Sequence, residues 1–471
     1  MKKILCLALS FIMIVSLATS FSASVTMNKS LDASSDEASK DSTIPEGYTE
    51  TGSCGKNAFW YYYDDTKTLI ISGEGKVERP DFYKPTFDYH GLPFEKAIIE
   101  EGITELGSYA FSKCEFLKEV SLPDSLTRIE DSIFGYCKSL KSITIPKNVS
   151  YWGMNNFYYC ESLEEIIVDP ENTTFDSRDN CNGVVVTQTN MLRYACKNTT
   201  IPESVTSIGS MTYCGVMGVT EITIPDNVTS IYGQAFQECV DLETVKLHPN
   251  VNLYPSGIFS KCKKLKNVYL PSGITEIGMQ EFSECTSLES IVIPASVKWI
   301  NQSAFLNCTS LKSVTIENGV KALGPGAFTG CTSLEEVVLP KSVDTIQIAT
   351  FKDCAAMKSV TVYNPECEIG DMDITFPANA VIYGYEGSTA QQYAEKYARE
   401  FIALPEPEYA IGDVDLDGDV SIMDATEIQM VEARLKEWKS ENCEALGDVD
   451  NDGEVSVLDA TEIQLIIAGL A

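Results

Sequence analysis

Basic residues and histidines are scarce in this chain of 471 residues. Lysine and arginine number 35 against 68 aspartates and glutamates, which gives a formal net charge of -33. Nucleic acid and anionic membrane surfaces are bound through clustered Lys and Arg, so this composition argues against both as partners. Only two histidines occur, His90 and His248. A Ser-His-Asp or Cys-His site would need one of them, and His248 merely occupies a repeated position that elsewhere is proline, so no catalytic residue is assigned.

Long apolar runs are also lacking beyond the first residues. The run 4–15 follows two lysines and precedes small residues at 18–24, which is typical of a secretory signal peptide at 1–24. A membrane anchor is the alternative, but the run is shorter than the roughly 20 residues that a membrane span needs. We therefore expect a secreted, extracellular protein with no membrane span in the mature chain. Residues 25–45 lack apolar periodicity and are predicted to form a flexible linker.

The dominant feature of the sequence is a 23-residue repeat. Nine units share a phenylalanine that is followed three residues later by a cysteine. The pairs are Phe111-Cys114, Phe134-Cys137, Phe157-Cys160, Phe236-Cys239, Phe259-Cys262, Phe282-Cys285, Phe305-Cys308, Phe328-Cys331 and Phe351-Cys354. Between them runs Leu-x-x-Val/Ile-x-Leu/Ile, as at 117–122 and 288–293. This spacing predicts stacked coils, each with one short strand in a parallel sheet and its apolar positions facing inward.

These phrases resemble the BspA-like leucine-rich-repeat family, whose coils share Phe-x-x-Cys and a Ser-Val-x-x-Ile phrase found here at 204–208 and 296–300. The resemblance implies an α/β solenoid of leucine-rich repeats at 101–379. It also implies an N-terminal cap at 46–100 and a C-terminal capping turn and helix at 380–402.

Two further features concern the shape of this solenoid. Ser388 and Gln391 predict a capping box for the C-terminal helix. The repeat register breaks at 169–200, and Cys214 and Cys239 are 25 rather than 23 residues apart. We therefore expect an irregular loop at 169–200 followed by a shifted coil, and loops of this kind are where solenoids make specific contacts.

Sixteen cysteines in an exported chain would ordinarily suggest disulfides. Nine of them, however, occupy one repeated position beside an inward phenylalanine, where cysteine serves as a small buried apolar residue, so reduced thiols are favoured. Adjacent coils would lie about 4.8 Å apart, so bridges between neighbouring coils remain geometrically possible. Structural zinc is disfavoured because no two cysteines have the Cys-x-x-Cys spacing.

Outward positions of the coils show one regular pattern and a few scattered aromatic residues. Charge alternates along the stack at Glu243, Lys266, Glu289, Lys312, Glu335 and Lys358. Opposite charges on adjacent coils predict a self-neutralised, solvated face rather than a ligand site. The aromatic residues Tyr151, Trp152, Tyr269 and Trp299 could form a sugar-binding platform only if the fold brings them side by side.

The composition changes after a Pro-containing linker at 403–410. Residues 411–471 hold 16 acidic and 3 basic residues and contain two 12-residue loops, 413–424 and 448–459. Both have the pattern of a calcium loop, with oxygen ligands at positions 1, 3, 5 and 12, a backbone carbonyl at 7, a water-mediated ligand at 9 and glycine at 6. The residues predicted to hold two Ca²⁺ ions are Asp413, Asp415, Asp417, Asp419, Ser421, Asp424, Asp448, Asp450, Asp452, Glu454, Ser456 and Asp459.

Residues 411–471 resemble a type I dockerin. Position 12 is Asp instead of the Glu of ordinary EF-hands, and prolines precede the first loop, so each unit is a loop with an exiting helix only. The resemblance implies a small all-α module of two calcium loop-helix units that binds a cohesin domain of a scaffoldin. The implied cohesin-binding residues are Ile422, Met423, Gln429 and Met430 in the first copy and Val457, Leu458, Gln464 and Leu465 in the second.

These patterns favour a non-catalytic, cellulosome-associated binding protein that contributes to polysaccharide catabolism. In this interpretation the dockerin docks to a cohesin, and the solenoid binds plant cell-wall polysaccharide or a protein partner. One alternative is a carbohydrate-active enzyme, because 68 acidic residues could place two carboxylates at a catalytic separation on the solenoid. Another is an adhesin or protective factor that binds proteins.

Overall fold

The computed structural model describes residues 46–78, 89, 91–405, 411–415, 420–438, 443, 446–450 and 454–468. The signal peptide predicted at 1–24 and the linker predicted at 25–45 lie outside these residues. So do His90, residues 406–410 of the predicted Pro linker, and the predicted calcium ligands Asp417, Asp419 and Asp452.

Each repeat forms one coil with two strands, whereas the sequence indicated one. The first strands are β4(Lys96–Ile99), β6(Glu119–Ser121), β8(Ser142–Ile145), β10(Glu165–Val168), β15(Glu221–Thr223), β17(Thr244–Lys246), β19(Asn267–Val268), β21(Ser290–Ile293), β23(Ser313–Ile316), β25(Glu336–Leu339) and β27(Ser359–Val362). The second strands are β5(Ile103–Leu106), β7(Arg128–Ile129), β9(Tyr151–Trp152), β14(Ser207–Ile208), β16(Ser230–Ile231), β18(Asn252–Leu253), β20(Glu276–Ile277), β22(Trp299–Ile300), β24(Ala322–Leu323), β26(Thr345–Ile346) and β28(Glu368–Ile369). Within each set, strands of neighbouring coils pair in parallel in separate runs, of which the longest are β21, β23, β25 and β27 in the first set and β20, β22, β24, β26 and β28 in the second.

Strand register follows the repeat, because Ser290 pairs with Ser313 and Ser313 with Glu336. Hydrogen bonding continues through the turns, where the Phe305 N–H donates to the Ala327 carbonyl at 2.8 Å. In the described coils the only helix is a short 3₁₀ segment, Arg178–Asn180. The solenoid is therefore a β-solenoid, not the α/β solenoid that the resemblance implied.

Aromatic rings stack through the core at the repeated phenylalanine position. The rings of Phe305 and Phe328 lie 5.0 Å apart between centroids and are almost parallel. Comparable stacking runs from Phe236 to Phe351, and these side chains are fully buried. The prediction that the phenylalanines face inward is thus confirmed, and each ring buries its faces against the coils on either side.

The N-terminal end of the stack is covered by an antiparallel sheet of β1(Glu50–Ser53), β2(Asn57–Tyr63) and β3(Thr68–Val77). Alternate residues of β2 face the core, so that Trp60 and Tyr62 are buried. Strand β3 then pairs in parallel with β4 and β5, which joins this cap to the first coil. At Gly73, φ is +118° and a Cβ would lie 2.1 Å from the Asn57 carbonyl oxygen, so only glycine fits this bend.

The segment predicted as an irregular loop contains three strands, β11(Phe175–Asp176), β12(Gly183–Val186) and β13(Met191–Ala195). They pair antiparallel, and β13 then pairs in parallel with β14. The coil that follows is not shifted. Tyr213 occupies the phenylalanine position, because its carbonyl accepts the Cys239 thiol at 3.0 Å, as the phenylalanine carbonyls do elsewhere. Cys214 lies outside the cysteine position, which explains the 25-residue interval to Cys239.

The C-terminal end of the stack is closed by β29(Val381–Gly384), the helix α1(Thr389–Lys396) and β30(Phe401–Ala403). The Ser388 hydroxyl accepts the Gln391 N–H, as predicted, while the Gln391 amide oxygen accepts the N–H of Gly387 instead of that of Ser388. Tyr393 packs edge-on against Phe376, the last ring of the stack, with ring centroids 5.0 Å apart, and so covers that end of the core.

The described part of the C-terminal module contains two 11-residue helices, α2(Ile422–Glu432) and α3(Val457–Ile467). Each begins with a capping box formed by a serine and the aspartate three residues later. A small apolar core joins them and consists of Val414, Ala425, Ile428, Ala460 and Ile463.

Candidate functional site

Three carboxylates of the first predicted calcium loop converge at the start of α2. Asp413, Asp415 and Asp424 each place one carboxylate oxygen within 4.8 Å of the others. Asp413 and Asp424 are fully buried. The Asp424 carboxylate is held by backbone: Oδ1 accepts the N–H groups of Val414 at 2.9 Å and Asp415 at 3.1 Å, and Oδ2 accepts that of Ser421 at 2.7 Å. Backbone bonds therefore fix the residue at position 12 of the loop.

The second loop reproduces this geometry at the start of α3. Asp448, Asp450 and Asp459 bring carboxylate oxygens within the same 4.8 Å. The Asp459 Oδ1 accepts the N–H groups of Val449 at 2.7 Å and Asp450 at 3.2 Å, and its Oδ2 accepts that of Ser456 at 2.8 Å. Two separate stretches of sequence thus fold into the same arrangement of carboxylates.

The chemistry of both clusters fits a hard divalent cation. Three carboxylates at this separation repel one another, and burying them is costly unless a positive charge compensates. An all-oxygen ligand set is what Ca²⁺ prefers. The hydroxyls of Ser421 and Ser456 accept the N–H groups of Met423 and Leu458, each at 3.0 Å. These hydroxyls cap the helices. This role is compatible with position 9 of each loop reaching a calcium ion through a water molecule.

Most of the residues predicted to bind a cohesin are exposed. Ile422 and Met423 at the start of α2 are 55% and 60% exposed, and Val457 and Leu458 at the start of α3 are 54% and 65% exposed. Gln429, Met430 and Gln464 are exposed as well, whereas Leu465 is half-buried. Because α2 and α3 pack together, the module presents two similar apolar patches, one at the start of each helix.

The cysteine column of the solenoid serves packing. All 15 described cysteines are buried. Eight thiols of the column donate to the carbonyl of the phenylalanine position one coil earlier, as from Cys262 to Phe236 at 3.0 Å. Burial raises the pKa of the Cys160 thiol to about 12, so the reactive thiolate is suppressed. His248 is likewise engaged with backbone, through Nε2 to the Val228 carbonyl at 2.7 Å.

The alternating charges form ion pairs between adjacent coils, as the sequence predicted. The Lys266 Nζ lies 2.7 Å from a Glu243 carboxylate oxygen, and Lys312 pairs with Glu289 at 3.1 Å. Lys358 pairs with Glu335 in the same way. These side chains are substantially exposed, so the pairs align neighbouring coils and contribute little to stability.

The four aromatic residues singled out from the sequence do not form one platform. Trp152 is buried against Tyr194, with ring centroids 4.6 Å apart. Tyr151 is covered by the Arg128 guanidinium at 3.6 Å. Tyr269 follows β19 in the first set of strands, whereas Trp299 lies in β22 of the second set. A surface groove at Trp299 brings together five coils, and the sequence pattern did not reveal it.

None of the helices in the described part of the chain combines the length and the apolar character that crossing a bilayer demands.

Comparison with known proteins identifies the repeats. The profile of a family described as BspA type leucine rich repeat region matches residues 82–182, 190–308 and 275–373, in six copies. These ranges together span more than half of the chain. No curated protein matches the chain.

Solved structures of bacterial leucine-rich repeat proteins are similar over most of their own length. One from Eubacterium ventriosum is 22% identical and covers 60% of this chain and 94% of its own, with a TM-score of 0.41. One from Bacteroides ovatus is 20% identical and covers 74% of this chain and 99% of its own, with a TM-score of 0.36. A leucine rich cell surface protein from Faecalibacterium prausnitzii is 20% identical and covers 70% of this chain and 96% of its own, with a TM-score of 0.32.

Proposed function

This chain belongs to the BspA-type leucine-rich repeat family, and from that premise we propose a secreted, non-catalytic binding protein that is tethered through its C-terminal module. In this proposal the solenoid presents the surface that binds an extracellular polysaccharide or protein. The module at 411–471 acts as a type I dockerin and attaches the solenoid to a cohesin of a scaffoldin, as part of a cellulosome that degrades polysaccharide.

The repeated carboxylate cluster carries this proposal. Asp413, Asp415 and Asp424 would hold one Ca²⁺, and Asp448, Asp450 and Asp459 a second. Bound calcium would neutralise the clustered carboxylates and fix both loops against α2 and α3. The remaining predicted ligands, Asp417, Asp419, Ser421, Asp452, Glu454 and Ser456, belong to the same proposal.

The same loops lead directly into the exposed apolar patches. Ser421 and Asp424 form the capping box of α2, and Ile422 and Met423 lie between them in the sequence. Ordering the loop therefore also orders this patch, and the corresponding coupling applies to Val457 and Leu458 in the second copy. An exposed apolar pair that calcium holds in position is suited to a protein partner, because interface centres are apolar and depleted in charge.

Isothermal titration of Ca²⁺ into residues 25–471 tests the metal sites. We expect two ions per chain, one for either single variant Asp413→Ala or Asp448→Ala, and none for the double variant. Asp344→Ala changes an exposed solenoid aspartate and serves as the control. A wild-type chain that takes up no calcium, or a double variant that still binds two ions, would contradict the assignment of calcium to these sites.

Capture on immobilised cohesins tests the partner. The wild-type chain is passed over a panel of cohesin domains with Ca²⁺ or with a chelator, and we expect retention on at least one cohesin only when calcium is present. The double variant should not be retained. Retention of the double variant would contradict docking that depends on calcium, and failure on every cohesin would contradict the dockerin assignment.

A further inference from the structure

A groove of about 540 Å³ crosses the second strands of the solenoid around Trp299. Trp299 is 52% exposed, and beside it Met279 is 54% exposed. The polar side chains that line the groove are Ser256, Glu276, Asn301, Gln302 and Gln347. A concave surface with exposed apolar groups and a few convergent polar ones is the usual form of a ligand site.

The neighbours of Trp299 leave room beside its indole ring. In the strand register Trp299 pairs with Glu276 on one side and with Ala322 on the other, and Ala322 contributes only a methyl group. Gly324 follows on the same coil as Ala322. A Cβ at Gly324 would lie 2.8 Å from backbone atoms of Asn301 and Gln302, so the close approach of the two coils requires glycine at this point of the groove.

A hydrogen bond holds the polar side of the groove in place. The Asn301 Nδ2 donates to a Glu276 carboxylate oxygen at 2.9 Å and to the Ile277 carbonyl at 3.0 Å. This arrangement fixes the Glu276 carboxylate beside Trp299. Gln302 and Gln347 are exposed and supply amide donors and acceptors.

The lining has the chemistry of a neutral ligand rich in hydroxyl groups. No lysine or arginine is among the described residues that line the groove, and its one charged side chain is the acidic Glu276. An anionic polymer would therefore be repelled, the more so by a chain of net charge -33. Sugar rings present apolar C–H faces that stack on an indole, and hydroxyls that pair with carboxylates and amides.

The length of the groove favours a polymer over a single sugar. Its lining residues come from five consecutive coils, which at about 4.8 Å per coil extend over roughly 19 Å. An aromatic surface continues past Pro255 at one end, where the Tyr232 and Tyr254 rings stack with centroids 4.9 Å apart. Several linked sugar units would be needed to cover this surface.

We propose that the groove binds a neutral polysaccharide, with one sugar ring stacked on Trp299 and its hydroxyls bonded to Glu276 and the amides of Gln302 and Gln347. This inference rests on the proposed function only in taking the solenoid as the ligand-binding part. Because the groove is formed by solenoid coils alone, binding there does not require the carboxylate clusters of the C-terminal module.

Affinity electrophoresis of residues 25–471 tests the proposal. Native gels contain soluble xylan, mixed-linkage β-glucan, glucomannan or the acidic polygalacturonate. We expect at least one neutral polysaccharide to retard the wild-type chain, equally with calcium or with chelator. Trp299→Ala should weaken binding about tenfold or more, because it removes the stacking face, and Trp299→Tyr should retain part of the affinity.

Two further comparisons make the result specific. Tyr269→Ala is the matched control, since Tyr269 is 77% exposed but lies outside the groove. This variant should bind the polysaccharide as tightly as the wild type. Thermal melts verify that each variant is folded. No retardation by any neutral polysaccharide, retardation by polygalacturonate alone, or equal losses in Trp299→Ala and Tyr269→Ala would each overturn the proposal. Calcium uptake and cohesin capture by the same preparation show whether the tethering function fails independently.

Discussion

The thiol of Cys308 donates a hydrogen bond to the carbonyl oxygen of Phe282, with an Sγ to O distance of 3.0 Å. The same carbonyl accepts the N–H of Cys285 at 3.1 Å, so both of its acceptor positions are used. Equivalent thiol bonds link Cys137, Cys160, Cys239, Cys262, Cys285, Cys331 and Cys354 to the preceding coil. The cysteine column thus connects adjacent coils through hydrogen bonds.

Cys308→Ala is expected to destabilise the solenoid by about 1–2 kcal/mol. The change removes both the bond to Phe282 and the volume of a fully buried sulfur atom. Urea unfolding followed by circular dichroism measures the effect. The control is Cys214→Ala, which lies outside the column and whose thiol is 4.0 Å from its nearest partner, the Gln237 side-chain oxygen. Equal stability of Cys308→Ala and the wild type would contradict a structural role for the thiol.

Native thiols should resist alkylation near neutral pH. Burial raises the pKa of the Cys54, Cys160, Cys214 and Cys367 thiols to about 12, so almost no thiolate forms. Iodoacetamide at pH 7.5 is expected to leave residues 46–471 unmodified when folded and to add 15 adducts in denaturant without reductant. Intact-mass spectrometry reads both states. A denatured chain with fewer adducts would reveal disulfides and refute the reduced column.

The sequence predicted the core of the fold because Phe305 and Cys308 stand at positions that repeat in type as well as in spacing. It did not predict the second strand of each coil, since a strand of two residues such as Trp299–Ile300 is too short to show alternation. The turns were also missed. Each contains left-handed residues such as Ser303 and Asn307, with φ of 55° and 58°, and these are usually not glycine.

Of the candidate sites, the sequence likewise predicted one, the carboxylate cluster, and did not predict the other, the groove at Trp299. The predicted aspartates Asp413, Asp415 and Asp424 converge because their loop pattern depends on local sequence. The capping-box role of Asp424 had a visible signal, a serine three residues earlier, that could have been read. The groove at Trp299 could not have been predicted, because it depends on which side chains five separate coils place side by side. Strand β12 did leave a signal in the apolar run 183–186.

Stability should fall as the pH rises from about 4.5 to 8 because of Glu281. This side chain is fully buried next to the phenylalanine position, and its carboxylate oxygens have no hydrogen-bond partner among the described residues. Burial raises the pKa of Glu281 to about 8. The raised pKa means that the folded state prefers the protonated acid.

The sign of the effect follows from the two states. Below pH 4.5 both the folded and the unfolded Glu281 are protonated, so no stability is lost. Between pH 4.5 and 8 the unfolded state ionises first, and by pH 7 the folded state has lost about 3 kcal/mol. A glutamine at this position cannot ionise. The urea midpoint of Glu281→Gln should therefore be higher than that of the wild type at pH 8 and equal to it near pH 4.5. Glu336→Gln, on the exposed face, is the control. A constant difference across pH would refute this explanation.

Removing the Tyr393 ring should open the C-terminal end of the stack. Tyr393→Ala exposes Phe376 and deletes the bond from the Tyr393 hydroxyl to the Met372 carbonyl at 2.8 Å. We expect a loss of about 3–5 kcal/mol for Tyr393→Ala and about 1 kcal/mol for Tyr393→Phe, which keeps the ring. Thermal unfolding ranks the variants, with Tyr397→Phe as the control at a more exposed ring. An unchanged melting temperature for Tyr393→Ala would show that α1 does not stabilise the last coil.

The two apolar patches of the C-terminal module should be able to substitute for each other in docking. Ile422 and Met423 in one copy and Val457 and Leu458 in the other follow identically capped loops, so each copy offers a partner a similar exposed apolar pair. Changing one pair to alanine should therefore weaken cohesin binding only a few-fold, whereas changing both pairs should abolish it.

The readout for these docking variants is calorimetry with a cohesin that retains the wild-type chain, in calcium. All variants should still take up two calcium ions, because the changed side chains are exposed and none is a predicted ligand. The copies also differ, since Met430 is exposed while the equivalent Leu465 is half-buried, so the two orientations need not have equal affinity. If one single-pair variant loses all binding while the other keeps it, only one patch docks, and the duplicated loop then serves the stability of the module.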